Sequence, residues 1–401
     1  MKKFLLFAAF FCGIFTLSAA CSFSESEDDN GNKILIMENS RIKAVIMPES
    51  NGRIAELILK DEDDERHFFP ELEFSTVEVG NGISLVGKTN YAGLEDWGWE
   101  EGLIKKNVPY KAEVLKNTPD EVSVRISAVF SFWANLERTM TITRDSAVLK
   151  ISTAFTNVQK EPIERTYWQH IMVDFDRNMD INAVKFFIPV KHTGEYGKVL
   201  KVAYLQQPGK NCVLERRAVT SHAKAQDYSR LAQPWRAMVH DDLLFGMIVD
   251  LNSFADGAAY HFVKDVLSCE NIFSKVKYQP QGSKIFHSWI VLSKTPERVD
   301  YLDRNLVLGC RREISGNKAV LDISAFRTGA QKEFKLTFKA VGKDGKEQSS
   351  TAFDCELPAN GDAFSQQVVL DKVDADSRFM VEISANGKKL AVSELLPQIK
   401  W

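Results

Sequence analysis

The chain has 401 residues, with 51 basic against 54 acidic side chains and a net charge of −3; 44% of it is hydrophobic. A balance so near neutral, with no long basic block, lacks the electrostatic footprint of a nucleic-acid binder. The apolar content suffices for a sizeable core, but no run after the leader approaches the roughly 18 apolar residues that span a bilayer.

The first element in chain order is that leader. MKKFLLFAAFFCGIFTLSAAC sets Lys2 and Lys3 before an apolar run, with small residues ahead of Cys21. This is the layout of a secretion signal over residues 1–20. The Cys behind Ser18-Ala19-Ala20 predicts a lipoprotein site, with a diacylglyceryl thioether on Cys21; cleavage near Ala19-Ala20 without a lipid is the alternative. Residues 21–32 are acidic and turn-rich and read as a flexible tether. Acidic residues behind a lipidated Cys resemble surface-export signals of some Gram-negative bacteria. The expected location is therefore a bacterial cell envelope, periplasmic or surface, with the lipid as the membrane contact.

From residue 33 the sequence reads as strands. RIKAVIM (41–47) and RIAELIL (53–59) flank the turn signal PESNG. EVSVRISAVFSF, LERTMTITR, SAVLKISTAFTN and RTYWQHIMVDFD follow, alternating β-branched or aromatic residues with polar ones. No linker interrupts residues 33–305, which predicts one large β domain. After Pro296 the texture changes: KAVLDISAF, KEFKLTFKAVG, SSTAFDCEL, FSQQVVLD and RFMVEISANGKKLAVSEL crowd five or six strands into under a hundred residues. That turn spacing predicts an immunoglobulin-like sandwich over 306–401, acting as spacer, lid or support.

NYAGLEDWGWEEG (90–102) packs Glu95, Asp96, Trp97 and Trp99 into one polar stretch, read as a loop. Carboxylates accept hydroxyl hydrogen bonds and indole faces stack on sugar C–H groups, so this stretch is a candidate rim of a saccharide groove. On RTYWQHIMVDFD, Tyr167, Ile171, Val173 and Phe175 share an apolar face interrupted by Gln169. Trp168 and His170 lie on the other face with Thr166, Met172 and Asp174, a stacking ring beside a proton-transfer group. Glu270, in SCEN after an apolar run, is either a groove carboxylate or an exposed strand end. Arg53, Asn90 and Arg236 complete the candidate substrate-binding set, Arg236 as a clamp for an acidic sugar.

Cys212, Cys269, Cys310 and Cys355 show no CxxC spacing, so no zinc site is expected, and their pairing stays open. DFDRNMD (174–180) mimics the start of a calcium loop, but Met179 stands where Gly is required and Lys185 where the bidentate Glu belongs. No phosphate loop, GxSxG elbow or HExxH appears, and neither metal nor cofactor is expected.

The order of segments resembles the galactose mutarotase-like family. IKAVIMPESNGRIAELIL resembles its first hairpin, SAVLKISTAFTNVQKEPIERTYWQH its strand pair ending in a His, and SCENIFSKVKYQPQGSKIFHSWIVL its late segment with a Glu before a Pro-x-Gly turn. NYAGLEDWGWE is similar to a Gly- and Trp-rich loop of some members. The resemblance covers roughly residues 33–295. It implies an all-β fold, an antiparallel β-supersandwich with a sugar-binding concave face, in which His170 is the acid and Glu270 the base of an aldose 1-epimerase-like reaction. The family's Asn-His-x-Tyr/Phe signature is replaced here by Gln169-His170-Ile171-Met172, which bears on turnover more than on binding. A supersandwich followed by an immunoglobulin-like domain is also similar in order to periplasmic glucan-synthesis proteins. Two readings follow: a carbohydrate-active enzyme using the His170–Glu270 pair, or a non-catalytic glycan-binding or structural envelope lipoprotein using the same groove.

Overall fold

The computed structural model describes residues 20–28, 31–60, 64–70, 93–98, 110–180, 183–187, 226–227, 233–253, 255–263, 266–295, 297–359 and 361–395. Its strands are β1 (Ser22–Glu27), β2 (Lys33–Glu38), β3 (Ile42–Met47), β4 (Arg53–Lys60), β5 (Glu65–His67), β6 (Gly93–Gly98), β7 (Lys111–Thr118), β8 (Glu121–Ser131), β9 (Ala134–Thr143), β10 (Val148–Asn157) and β11 (Ile163–Val173). After one 3-10 turn, Phe175–Arg177, come β12 (Lys185–Phe187), β13 (Gln226–Asp227), β14 (Trp235–His240), β15 (Leu243–Val249), β16 (Ala255–Val263), β17 (Val266–Tyr278) and β18 (Ser283–Lys294). The last part holds β19 (Tyr301–Leu302), β20 (Leu306–Ser315), β21 (Lys318–Arg327), β22 (Glu333–Val341), β23 (Glu347–Glu356), β24 (Phe364–Asp371), β25 (Arg378–Ala385) and β26 (Lys388–Glu394). The fold class is all-β and antiparallel, as the alternation in the sequence predicts.

Two large sheets face each other. One runs β1-β2-β3-β4-β6-β11-β17-β16-β13 with β5 beside β4; the other runs β12-β14-β15-β18-β10-β9-β8-β7. Between them lies the main core, with Leu35, Ile46 and Leu57 from the first sheet and Val124, Leu136, Ile151 and Phe245 from the second. Tyr167, Ile171, Val173 and Phe175 all enter this core, and Tyr167 stacks on Phe273 with centroids 5.0 Å apart. The face assigned to them from the alternation is the one they occupy.

Two expectations change here. Ser22–Glu27, read as part of a tether, pairs along its whole length with β2 from Ser22↔Glu38 to Glu27↔Lys33. Its side chains are almost all exposed, so backbone hydrogen bonding to a sheet edge, and not burial, holds it. Gly93–Gly98, read as a loop, is an interior strand between β4 and β11. Gly93, at φ +73°, supports the close approach: a Cβ there would sit 2.0 Å from the Ile54 carbonyl oxygen.

The C-terminal part forms two four-stranded sheets, β19-β20-β21-β24 and β23-β22-β25-β26, around a separate core containing Leu321, Phe338 and Val381. It begins with Tyr301, a few residues before the expected boundary. A third cluster joins it to the large sandwich: Trp235, Leu244 and Val291 pack with Leu302, Val307 and Phe326. Along β14, Trp235, Ala237 and Val239 belong to this cluster and Met238 to the main core. The C-terminal unit therefore covers the outer face of the eight-stranded sheet from β12 to the start of β10. Its contacts are completed by hydrogen bonds from Ala147 N to Thr328 O (2.7 Å) and from Arg41 Nη1 to Ala359 O (2.9 Å).

Candidate functional site

Antiparallel register decides which side chains meet. Across β6, β11 and β17, Glu95 lies opposite His170 and His170 opposite Glu270. Because side chains alternate, the neighbouring residues Asp96, Gln169 and Asn271 form a second row pointing the other way. The dipeptides Glu95-Asp96, Gln169-His170 and Glu270-Asn271 thus split between the two faces of one sheet.

The outer row carries the titratable groups. His170 Nε2 is 3.7 Å from Glu270 Oε1, beyond a hydrogen bond but close enough for an ion pair when the imidazole is protonated. Arg53, at the start of β4, donates from Nη2 to Glu95 Oε1. All four are deeply buried: Arg53 and Glu95 are 6% exposed, His170 4% and Glu270 3%. Burial in this low-dielectric setting lowers the Arg53 guanidinium to about 10, still charged at neutral pH. Trp168 lies on the same face of β11, directly opposite Trp97.

The inner row faces the opposite sheet. Asp96 is fully buried, with Oδ2 accepting from Arg138 Nη1 at 2.8 Å and Oδ1 from the Tyr167 hydroxyl at 2.5 Å. Burial pushes its carboxyl upward, against the pull of Arg138 and Tyr167. Arg138, fully buried on β9, also donates to the Gly52 carbonyl. Arg236, 1% exposed on β14, donates to the Glu270 main-chain carbonyl and to Asn271 Oδ1 (2.8 Å). Asn271 Nδ2 in turn donates to Gln169 Oε1 at 2.8 Å.

The structure therefore brings Arg53, Glu95, His170 and Glu270 together, with Trp168 on the same face. It corrects two sequence expectations. Asp96 does not share a face with Glu95, since adjacent strand residues point apart, and its oxygens are engaged inside the sandwich. Arg236 is no surface clamp; it lies in the inter-sheet core. Trp97 stands on a strand, while Trp99 and Asn90 lie outside the described residues, as does Cys212. Cys21 is buried, and its backbone N donates to Pro119 O at 2.9 Å. The described cysteines, Cys21, Cys269, Cys310 and Cys355, are free thiols. Asp176 of the calcium-like stretch bonds Arg66 Nε (2.7 Å) and His67 N (3.0 Å).

Sequence reasoning missed Arg138, Gln169 and Asn271. Arg138 had a readable signal: it interrupts the inward series Leu136, Met140, Ile142 at period two. Gln169 interrupts its apolar face in the same way. A charge or amide at an inward position of an otherwise apolar strand marks a buried polar network.

Chemically, the outer row can move two protons over a short distance. The ring oxygen and the anomeric hydroxyl of an aldose are bonded to the same carbon. An acid and a base a few ångströms apart can therefore serve both.

No protein-family model matches the sequence, and no curated protein matches it. Among solved structures, this chain is similar to a TPR-domain-containing protein of Parabacteroides distasonis, at 11% identity over 72% of this chain and TM-score 0.47. The match spans 55% of that protein's length. A galactose mutarotase-like protein of Clostridium acetobutylicum is 11% identical, over 69% of this chain and 99% of the other, at TM-score 0.43. An aldose epimerase homologue of C. elegans is 11% identical, over 69% and 100%, at TM-score 0.38.

Proposed function

We propose that the outer row is a saccharide site and that the chain is an aldose 1-epimerase-like protein of the bacterial cell envelope. The observation that carries this is the register placing His170 and Glu270 directly opposite on adjacent strands, with Nε2 and Oε1 3.7 Å apart. Glu270 takes the proton of the anomeric hydroxyl while protonated His170 gives one to the ring oxygen. The C–O ring bond breaks, an open-chain aldehyde forms, and closure on the other face reverses both transfers. Arg53 holds Glu95 in place, and Trp168 supplies a stacking surface beside the pair.

The leader, with a Cys behind Ser18-Ala19-Ala20, supports secretion and lipid anchoring, while the burial of Cys21 favours the alternative of cleavage without a lipid; the two small facing sheets support an immunoglobulin-like reading of the C-terminal unit. That unit packs on the eight-stranded sheet, the one that does not carry the row, which favours support over a lid.

One observation favours a second reading. The four row side chains are closed from solvent, and Glu95 is already matched by Arg53. A non-catalytic glycan-binding or structural lipoprotein needs no turnover from such a row.

The test is NMR anomerisation of freshly dissolved α-D-glucose and α-D-galactose, beside a glycan array. Wild type is expected to accelerate mutarotation, with Glu270→Gln and His170→Asn slower by about 10²–10⁴-fold. Glycan binding without acceleration would select the second reading. Neither acceleration nor binding would sink the saccharide site.

A further inference from the structure

We infer that Arg236, acting through Asn271 and Gln169, is the positioning group that sets the His170–Glu270 distance from beneath the sheet. This rests on the reading of that pair as an acid and a base. Arg236 belongs to β14 of the opposite sheet, yet it donates to the main-chain carbonyl of Glu270 itself. It also holds Asn271, the next residue, and Asn271 donates across the strand pair to Gln169, the residue before His170. One guanidinium thus holds Glu270 through its own carbonyl and reaches His170 through the side chains of Asn271 and Gln169, the residue before it. Arg138 ties the third strand of the row in the same manner, through Asp96, the residue after Glu95.

Packing alone does not call for this arrangement. Met238, two residues along β14 on the same inward face, shows that an apolar side chain fills such a position. Desolvating a cation between two sheets is costly, and a buried charge adds little net stability over a well-packed apolar residue. What it adds is directional: both acceptors are met by one nitrogen, Nη2, whose two N–H bonds point at set angles in the rigid guanidinium plane. A carboxylate and an imidazole that must address the anomeric hydroxyl and the ring oxygen of one sugar need such precision, and misplacement by about 1 Å can cost 10²-fold in rate.

The test uses the whole protein with ¹⁵N-labelled histidine, His170 being assigned by loss of its signal in His170→Asn. Among the described residues, the charged groups facing the pair are Glu95 and Arg53 on its own face, with Arg236, Arg138 and Asp96 beneath. In Arg236→Met the two effects on His170 have opposite signs. Loss of a nearby cation alone would raise its titration midpoint; movement of Glu270 away would lower it. Positioning predicts a midpoint lower by roughly one pH unit. It also predicts a kcat for glucose anomerisation reduced tenfold or more with KM within twofold, and partial recovery in Arg236→Lys. Asn271→Leu changes no charge and is expected to lower the midpoint as well, so it carries the test if Arg236→Met does not fold. An unchanged or raised His170 midpoint in a folded variant would overturn the inference. Absence of turnover in the wild type would sink the epimerase reading, while the histidine titration would still decide the positioning.

Discussion

Asp96 shows how one residue's neighbours decide its role. Its sequence context, between Glu95 and Trp97, points to a ligand, but strand geometry turns it inward onto Arg138 and Tyr167. A buried ion pair adds little over apolar packing, yet removing one partner leaves an uncompensated charge in the interior. Asp96→Leu is therefore expected to lower stability by about 3–5 kcal/mol in urea unfolding, and the double change Asp96→Leu, Arg138→Met to recover most of that loss. His170 and Glu270 were legible as a pair through the family resemblance, their residue types being suited to proton chemistry; that Glu95 and Arg53 stand beside them as a pair was not. A sequence lists carboxylates and guanidiniums without their partners.

Strand β6 shows what an element contributes. It carries Glu95 on one face and Asp96 on the other, and it connects β4 to β11 through the short pairing Ile54↔Leu94. Gly93 permits this contact. Ala at that position would place a Cβ 2.0 Å from Ile54 O and strain a backbone at φ +73°. Gly31 has a similar φ of +78° with nothing within 4 Å of a built Cβ. Gly31→Ala should thus cost only backbone strain of about 1 kcal/mol, whereas Gly93→Ala should cost about 3 kcal/mol or more and disturb the Arg53–Glu95 pair. Unfolding midpoints of the two variants, measured side by side, check this. Strand β6 was misread as a loop because glycines, acids and tryptophans break the alternation rule; its strand state comes from two neighbours that supply its hydrogen bonds.

For the whole molecule, the arrangement of units matters more than their number. The ten-stranded sheet bears the row, and the eight-stranded sheet bears the C-terminal unit through Trp235, Leu244 and Val291. Trp235 is 1% exposed, and its Nε1 donates to Gln233 Oε1 at 2.7 Å. Trp235→Ala is expected to cost about 3–5 kcal/mol, as large-to-small changes in cores do. It should also loosen the coupling between units. Scanning calorimetry should show one transition in the wild type and two in the variant; one unshifted transition would mean the cluster does not couple them.

The sequence alone determined the all-β class, about half of the strand positions, the apolar face of β11 and the change of texture near Pro296. Each follows from local alternation and turn chemistry, which a strand carries within itself. Tertiary structure decided that Glu95, His170 and Glu270 form one row, that Asp96 and Arg236 belong to the opposite face, that Ser22–Glu27 is a strand, and that the C-terminal unit packs away from the row. These depend on register and on pairing between segments as much as 143 residues apart, as in Val148↔Val291. A shift of one residue in any of those pairings would exchange the two faces, and no local pattern records which shift was taken.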